Sequence, residues 1–520
     1  VRGKRMSWKP HIEELRQRER LAEKMGGEEP VSRQRGRGKL TVRERVAFLA
    51  DPGSFQEIGK IAGRATYNEK EEMTEFLPGN MVVGRGKVAG KPCVIIGDDF
   101  TVRGGAADAT IRGKFLIAEQ MAGEYRLPLV RMIDGTGGGG SIKMFEKDPR
   151  TYIPETPGWD LVVNNMSEVP VVALALGPCA GLGAGRVGAS HYSVMVKELS
   201  QVFVAGPPVA IAIGEDVTKE ELGGWNIQAR NGTVDEAVDS EAEAFERVRQ
   251  FLSYLPSSVH ERAARTVPTD DPNRREESLI DIVPTDGKTP YMPRKIVNAC
   301  VDQGSFFEIG RYWGKSIVTG FARVDGFPVG IMAGDPFFLD GAWTPDTCEK
   351  VARHVDLCDT FHLPIIHFVD CPGFAVGVKQ EKAGVTRKGV RAMAAVYQAQ
   401  VPICSIVIRK AYGLAGSAMM NPSRTKWRYC WPSGDWGSLP MAGGIEAAYR
   451  KEILEAEDKE AFLEALYRRF DAIRSPFRSA EAFLAEDIID PRDTRQRIVD
   501  FVHHADRMID VGRKAKGFRP

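Results

Sequence analysis

Four glycine-rich turns, each at the end of an apolar run, hold the residues whose types and spacing could do chemistry. In residues 401–421, Ile403, Ile406, Val407 and Ile408 lead through Arg409-Lys410 into Ala411-Tyr412-Gly413-Leu414-Ala415-Gly416-Ser417, then the helix-compatible Ala418-Met419-Met420. The pattern predicts a buried strand, a tight turn and a helix start. The first N–H groups of a helix have no partner inside it and carry the positive end of its dipole. Small residues let a ligand oxygen approach those donors, so such a turn is an oxyanion-hole candidate that needs no side chain. The other turns are Asp134-Gly135-Thr136-Gly137-Gly138-Gly139-Gly140-Ser141, Gly177-Pro178-Cys179-Ala180-Gly181-Leu182-Gly183, and Asp370-Cys371-Pro372-Gly373-Phe374. Two such turns per half, on adjacent strands, would gather N–H groups around one carbonyl oxygen. That suits an enolate formed from a thioester, and two sites suit two carbonyl substrates that meet. The competing reading is a strand–helix turn kept small only for packing.

Side-chain catalysts are scarce. His354, His362 and His367 fall on a predicted helix, its end and a strand, and read as structural. Asp134 and Asp370 end strands and read as fixing the turn backbone. Cys371 sits beside Pro372 and Gly373 with no histidine at a recognisable spacing, and reads as packing. Gly183-Ala184-Gly185-Arg186-Val187-Gly188 matches G-x-G-x-x-G, but no acidic residue follows where a dinucleotide site would want one. There is no G-x-x-x-x-G-K-[ST] loop and no Ala-Met-Lys-Met biotin-attachment sequence. Scarcity of an acid–base pair fits a mechanism in which a cofactor supplies the base.

These turns need a scaffold, and the chain contains it twice. Gly53-Ser54-Phe55-Gln56-Glu57-Ile58-Gly59 recurs as Gly304-Ser305-Phe306-Phe307-Glu308-Ile309-Gly310, and Leu127-Pro128-Leu129-Val130 recurs as Leu363-Pro364-Ile365-Ile366. The hairpin sequence around Ala89-Gly90 recurs around Asp325-Gly326, and Val169-Pro170-Val171-Val172, ending in Gly181-Leu182-Gly183, recurs as Val401-Pro402-Ile403-Cys404, ending in Gly413-Leu414-Ala415. Each half runs through strand hairpins into alternating strands and helices (110–125 and 345–361), an α/β pattern repeated. The expected organisation is a helical arm over 1–50, a first domain over 51–265 and a second over 266–520. Residues 256 to about 293 read as linker, and 445–470 and 479–508 as amphipathic helices.

At 520 residues, two or more domains are expected. The formal net charge of +1 points to neither a nucleic-acid nor an anionic-membrane partner. No apolar run approaches the ~20 residues of a membrane span. The first residues lack the apolar core of a secretory signal, so a cytoplasmic protein is expected. Eight scattered cysteines without a C-x-x-C pair argue against a zinc ribbon or a disulfide framework, and no metal is expected.

The chain resembles the carboxyltransferase (β) subunit of biotin-dependent acyl-CoA carboxylases, the propionyl-CoA and methylcrotonyl-CoA carboxylase group. The residues that carry the resemblance are Gly38-Lys39-Leu40-Thr41-Val42-Arg43-Glu44-Arg45, Asp51-Pro52-Gly53-Ser54-Phe55, Asp98-Asp99-Phe100-Thr101-Val102, Thr319-Gly320-Phe321, Phe368-Val369-Asp370 with Pro372-Gly373-Phe374, and Arg409-Lys410-Ala411-Tyr412-Gly413. It implies two tandem crotonase-like ββα-superhelix domains and a homohexamer, with the first domain taking the acyl-CoA and the second the carboxybiotin of a carrier on a partner (α) subunit that also holds biotin carboxylase. Gly138 and Gly139, helped by Gly181, would donate to the thioester oxygen; Leu414 and Ala415 would donate to the biotin ureido oxygen. Gly181, Ser417, Gly373, Phe374 and Tyr412 complete the expected substrate contacts. In the implied mechanism the biotin anion removes the α-proton and the enolate attacks CO2. The first-domain turn departs from the usual Asp-Ser-Gly-Gly-Ala-Arg, Leu414 replaces a common glycine, and Ser417 an aspartate linked to acyl choice. The residue 143–158 insertion is also unusual. The alternatives are a decarboxylase subunit of a sodium-pumping complex and a non-catalytic assembly subunit.

Overall fold

The apolar runs that end in glycine turns are parallel strands, and burial on both faces explains their composition. The computed structural model describes residues 7–106, 110–135, 149, 153, 155–514 and 519. The chain divides into Val1–Ser253 and Tyr254–Pro520, ahead of the 265/266 boundary read from the sequence.

In the first unit β1 (Gln56–Ile58), a separate hairpin of β2 (Gly63–Tyr67) and β3 (Met73–Pro78), β4 (Met81–Val88) and β5 (Lys91–Asp98) come first. They are followed by β6 (Leu129–Gly135), β7 (Val171–Ala180), β8 (Tyr192–Val196), β9 (Gln201–Phe203) and β10 (Glu236–Val238). The sheet order is β1-β4-β5-β6-β7-β8-β10, with β9 beside β7. β1, β4 and β5 pair antiparallel; the remaining pairs are parallel. The second unit repeats this with β11 (Phe307–Ile309), β12 (Ile317–Val324), β13 (Phe327–Gly334), β14 (Ile365–Cys371), β15 (Ile403–Tyr412), β16 (Trp427–Cys430), β17 (Asp435–Gly437) and β18 (Asp487–Ile488). Its order is β11-β12-β13-β14-β15-β16-β18, with β17 beside β15. The helices Arg112–Tyr125 and Pro345–Thr360 occupy equivalent places, each between an antiparallel-paired strand and the next parallel one.

The repeated motifs have a structural job that is the same in both units. Asp51 accepts the N–H groups of Ala89 and Gly90 at 2.9 and 2.7 Å, and Asp302 those of Asp325 and Gly326 at 3.0 and 2.9 Å. Both central residues of each hairpin turn have positive φ (49° and 79°; 48° and 78°), the type I′ geometry of a two-residue hairpin. Ser54 and Ser305 accept from Lys87 and Arg323 one step further along the same strands. Arg43 pairs with Glu57, and Arg294 with Glu308, so the repeat begins in the helices Val42–Leu49 and Pro293–Cys300.

Three organisational expectations are corrected. Residues 256–293 do not form a free linker: Leu279, Val283 and Tyr291 are buried in the core of the second unit, under the helix Thr494–Arg507. The predicted helix over 445–470 is three helices, Met441–Ala448, Arg450–Glu455 and Lys459–Ile473, the last started by Asp458, whose side chain accepts from Ala461 N–H. Residues 479–508 likewise contain β18 and a Pro491 turn before Thr494–Arg507.

The N-terminal arm ends in the core as well. Thr41 and Glu44 form a capping box on the helix Val42–Leu49. That helix delivers Arg45, fully buried, whose Nη1 lies 2.8 Å from Asp134. Its Nε and Nη2 each lie 2.9 Å from Glu241, and Nη2 also donates to Leu176 O at 2.9 Å. Lys39 Nζ lies 2.6 Å from the same Asp134. Burial is balanced here only because every charge has a partner; removing one partner of a buried pair typically costs about 3–5 kcal/mol. Arg45→Met is therefore expected to destabilise the first unit by about 3–5 kcal/mol in urea unfolding followed by circular dichroism. A loss under about 1 kcal/mol, the scale of an exposed pair, would show that the cluster does not hold the unit together.

Candidate functional site

Each unit builds its turn from one irregularity. Along β6 and β7, Ile133 faces Ala175 but Gly135 faces Cys179, so a bulge in β7 stands opposite Asp134 alone. Along β14 and β15, Val369 faces Val407 and Cys371 faces Ala411, the same shift opposite Asp370. The bulge splits each strand: residues 172–175 of β7 pair β8 and 178–180 pair β9, while 404–407 of β15 pair β16 and 410–412 pair β17. The strand then ends in a positive-φ glycine, Gly181 at 54° or Gly413 at 58°, and a helix starts at once, Leu182–Gly188 or Gly413–Ser417. Neither helix has a side-chain cap, so its first N–H groups have no partner from within the helix.

Gly181 is corrected as a donor. Its N–H is spent on Phe203 O and Val204 O at 3.3 and 3.1 Å. Gly181 is the pivot of the turn, and the donors that follow it are Leu182 and Gly183. These two, with Gly135, Ala180, Asp98, Phe115 and Arg186, line a cavity of about 370 Å³. Gly138 and Gly139 lie outside the described residues. Trp159, after the insertion, begins the helix Trp159–Asn165 and packs on the helix Leu182–Gly188, where a Cβ on Gly185 would stand 3.3 Å from its ring.

In the second unit Leu414 keeps negative φ as the second residue of its helix and is exposed, Ala415 is buried beneath it, and Ser417 Oγ donates to Leu414 O at 2.8 Å. Gly413, Gly416 and Ser417 line a cavity of about 210 Å³ with Arg428, Trp436 and Leu484. Tyr412 is buried, its ring 5.6 Å from the Arg474 guanidinium. Gly373 is close by, with φ 126° and its Cβ position 3.8 Å from Tyr412 O. Phe374 is engaged elsewhere, edge-on to Trp343 at 6.2 Å and against Gly389 of the helix Val385–Gln398, so packing rather than the 413–417 cavity occupies it.

Two charged groups had not stood out in the sequence. Arg186, in the G-x-G-x-x-G stretch, is buried with Nη1 3.1 and 3.2 Å from the Asp98 oxygens. An arginine between small residues at a helix start was its only signal. Asp435 on β17, paired beside Lys410, is pushed up to about 6 by burial, with Lys410 opposing. Asp370 is raised by burial despite Arg409, whose Nε lies 3.1 Å away, and also accepts Tyr291 O–H at 2.8 Å and Lys410 N–H at 3.0 Å. Burial drives His354 down to about 3 and His367 to about 4, which leaves both neutral and without access to a substrate proton.

The carboxyl transferase domain model matches residues 33–509. The chain belongs to the carboxyl transferase family. The carboxyl transferase is 33% identical, over 98% of both chains, to the propionyl-CoA carboxylase carboxyltransferase subunit of Haloferax mediterranei. It is 32% identical to the methylmalonyl-CoA decarboxylase subunit alpha of Veillonella parvula, over 91% of this chain and 92% of that one. The crystal structure of transcarboxylase 12S, a hexamer described with methylmalonyl-coenzyme A and methylmalonic acid bound, aligns with a TM-score of 0.87 at 30% identity over 99% of this chain and 98% of that one. The two units of the carboxyl transferase are thus tandem crotonase-like domains, and the resemblance carried by its glycine turns and marker motifs holds. No helix among the described residues is long and apolar enough to cross a membrane.

Cys371 sits at the second turn of the carboxyl transferase but is buried, and burial pushes its thiol up to about 12. A thiol there is not a nucleophile near neutrality. Iodoacetamide at pH 8 is expected to leave Cys371 unmodified in the native protein and to alkylate it in urea, as read by peptide mass spectrometry. Fast native labelling would return Cys371 to the list of reactive groups.

Proposed function

We propose that this enzyme moves a carboxyl group from carboxybiotin, carried on a partner subunit that also bears biotin carboxylase, to the α-carbon or vinylogous position of an acyl-CoA. The observation that supports it best is the duplicated turn: a split strand, a positive-φ glycine and an uncapped helix start beside a cavity, once in each half of a carboxyl transferase. One turn suits a thioester oxygen and the other a ureido oxygen, since both are neutral carbonyls that gain negative charge as the reaction proceeds.

The residues of the chain itself then have defined tasks. Leu182 and Gly183, with Gly138 and Gly139, would hold the thioester oxygen so that an enolate can form. Leu414 and Ala415 would hold the ureido oxygen, and Gly416 lets their helix lie directly on β15, since a Cβ there would meet the Ala411 backbone at 2.6 Å. Bound biotin supplies the carboxyl group and the base, which fits a site whose nearby histidines are buried and neutral. Ser417, at the end of this turn, and the 143–158 insertion bear on which acyl group is taken. A homohexamer is the assembly we assign, on the likeness to transcarboxylase 12S.

The deciding measurement is acid-stable fixation of labelled bicarbonate by this chain with its co-purified biotin-bearing partner, ATP and a panel of acyl-CoAs. Fixation on a thioester is the expected result. A partner that carboxylates its own biotin while no acyl-CoA accepts label would instead favour the decarboxylase direction or a non-catalytic assembly subunit. Leu414→Pro removes one N–H at a helix position that tolerates proline. It is expected to lower kcat about 10²–10³-fold with the fold retained, the range seen when one oxyanion donor is deleted. An unchanged kcat would remove Leu414 from the site.

A further inference from the structure

The cavity of the first unit holds one group that the reaction above leaves unused. Arg186 is only 6% exposed, yet its Nε and Nη2 are buried with no hydrogen-bond partner among the described residues. Among the described residues only Nη1 is engaged, on Asp98. The Phe115 ring, 5.5 Å from Cζ, lies against the guanidinium. Asp98 is itself fixed by a second bond, its Oδ2 accepting Asp134 N–H at 3.2 Å, and reaches neither Nε nor Nη2.

Nε and Nη2 form the side-on edge of the guanidinium, two parallel donors at the spacing of the two oxygens of a carboxylate. Buried donors without acceptors are costly, and a charged one most of all. Arg186 lines the same cavity as Gly135, Leu182 and Gly183. It follows Gly183 by three positions, on the same helix face about 4.5 Å further along, and helical side chains lean back toward the N-terminus, here toward the turn. The two exposed charges on the cavity wall, Arg112 and Glu155, offset each other and do not fill this edge.

We propose that Arg186 is the specificity-determining residue of the acyl pocket and receives a carboxylate at the far end of the acyl chain, so that the preferred acyl-CoA is a short dicarboxylic one. Asp98 and Phe115 are positioning residues that fix the guanidinium. The inference rests on the first unit being the acyl-CoA side, as proposed above.

Equilibrium binding to the full chain, without turnover, separates the two readings. The probes are glutaryl-CoA, the neutral pentanoyl-CoA of equal length, propylmalonyl-CoA, which carries only a carboxylate on the α-carbon, and free coenzyme A. Wild type is expected to bind glutaryl-CoA about 10²-fold or more tighter than pentanoyl-CoA, as sites built to pair a polar group reject analogues lacking it. Arg186→Met is expected to erase that preference and leave free coenzyme A affinity unchanged. Because the methionine leaves Asp98 unpaired, Arg186→Lys serves as the second variant: it keeps a charge beside Asp98 but has no fork, and is expected to lose most of the preference with an unchanged melting temperature.

Equal binding of glutaryl- and pentanoyl-CoA by wild type and both variants would overturn the proposal, leaving an arginine satisfied by water, while acyl-CoA binding itself would stand. Loss confined to propylmalonyl-CoA would assign Arg186 to the transferred carboxyl group instead, and an equal loss for free coenzyme A would assign it to the coenzyme phosphates; either result overturns the tail assignment. Failure of every coenzyme A species to bind wild type would count against the acyl-CoA reading itself.

Discussion

A buried carboxylate at the end of one strand, facing a bulge in the next, is the constraint on which both units depend. A bulge in a buried parallel strand leaves backbone groups that the sheet cannot satisfy. Asp370 accepts the N–H of Lys410 inside the bulge of β15, and Arg45, held by Asp134, donates to Leu176 O inside the bulge of β7. Without the bulge the strand could not change partners, from β8 to β9 or from β16 to β17, and the turn that follows would not leave the sheet. The charge cluster is therefore what permits a helix start to open onto a cavity.

The two units solve the same problem with different parts of the chain. In the second, the arginine comes from the bulge itself, as Arg409. In the first, the equivalent place is Gly177, where a Cβ would stand 2.0 Å from Asp134 Oδ1 and 2.4 Å from Lys39 Nζ. The glycine clears space for Lys39 and Arg45 to enter from the N-terminal segment. This explains why Lys39 and Arg45 of the Gly38–Arg45 motif have no counterpart in the second half, although Arg43 recurs there as Arg294. That half uses Tyr291 and Arg409 instead, and residues 256–293 are drawn into its core to bring Tyr291 there.

Much of this was legible in the sequence, for reasons that can be traced to particular residues. The continuous apolar runs of β6, β7, β14 and β15, bounded by glycine turns, read as doubly buried strands, and the Asp325-Gly326 pair marks a hairpin turn. The structural role given to Asp134 and Asp370 agrees with their hydrogen bonds. What local pattern could not reveal were long-range partners: that Asp51 and Asp302 clamp hairpin turns, that Arg45 meets a residue 89 positions away, or that Gly181 spends its N–H on the neighbouring strand. Ala89 adopts positive φ without being glycine or asparagine, because Asp51 holds its N–H. The charged stretch at 256–293 looked like linker because its buried anchors, Val259, Leu279, Val283 and Tyr291, are widely spaced among polar residues.

The distribution of roles follows from a site made of backbone. N–H donors carry no side-chain identity, so the positions that must be kept are those that shape the backbone: Asp51, Ser54, Asp134, Gly177, Asp302, Ser305, Asp370, Arg409. Asp51, Ser54, Asp370 and Arg409 fall within the motifs that carry the family resemblance, and few of the eight line a cavity. Leu182 and Arg186 in the first unit and Ser417 in the second stand on the cavity walls instead, apart from the residues that shape the backbone. Chemistry and acyl choice are thereby separated within the fold. A charged side chain can enter the acyl cavity, as Arg186 does with Asp98 as its anchor, while the oxyanion geometry one helical turn away is set by a different carboxylate, Asp134.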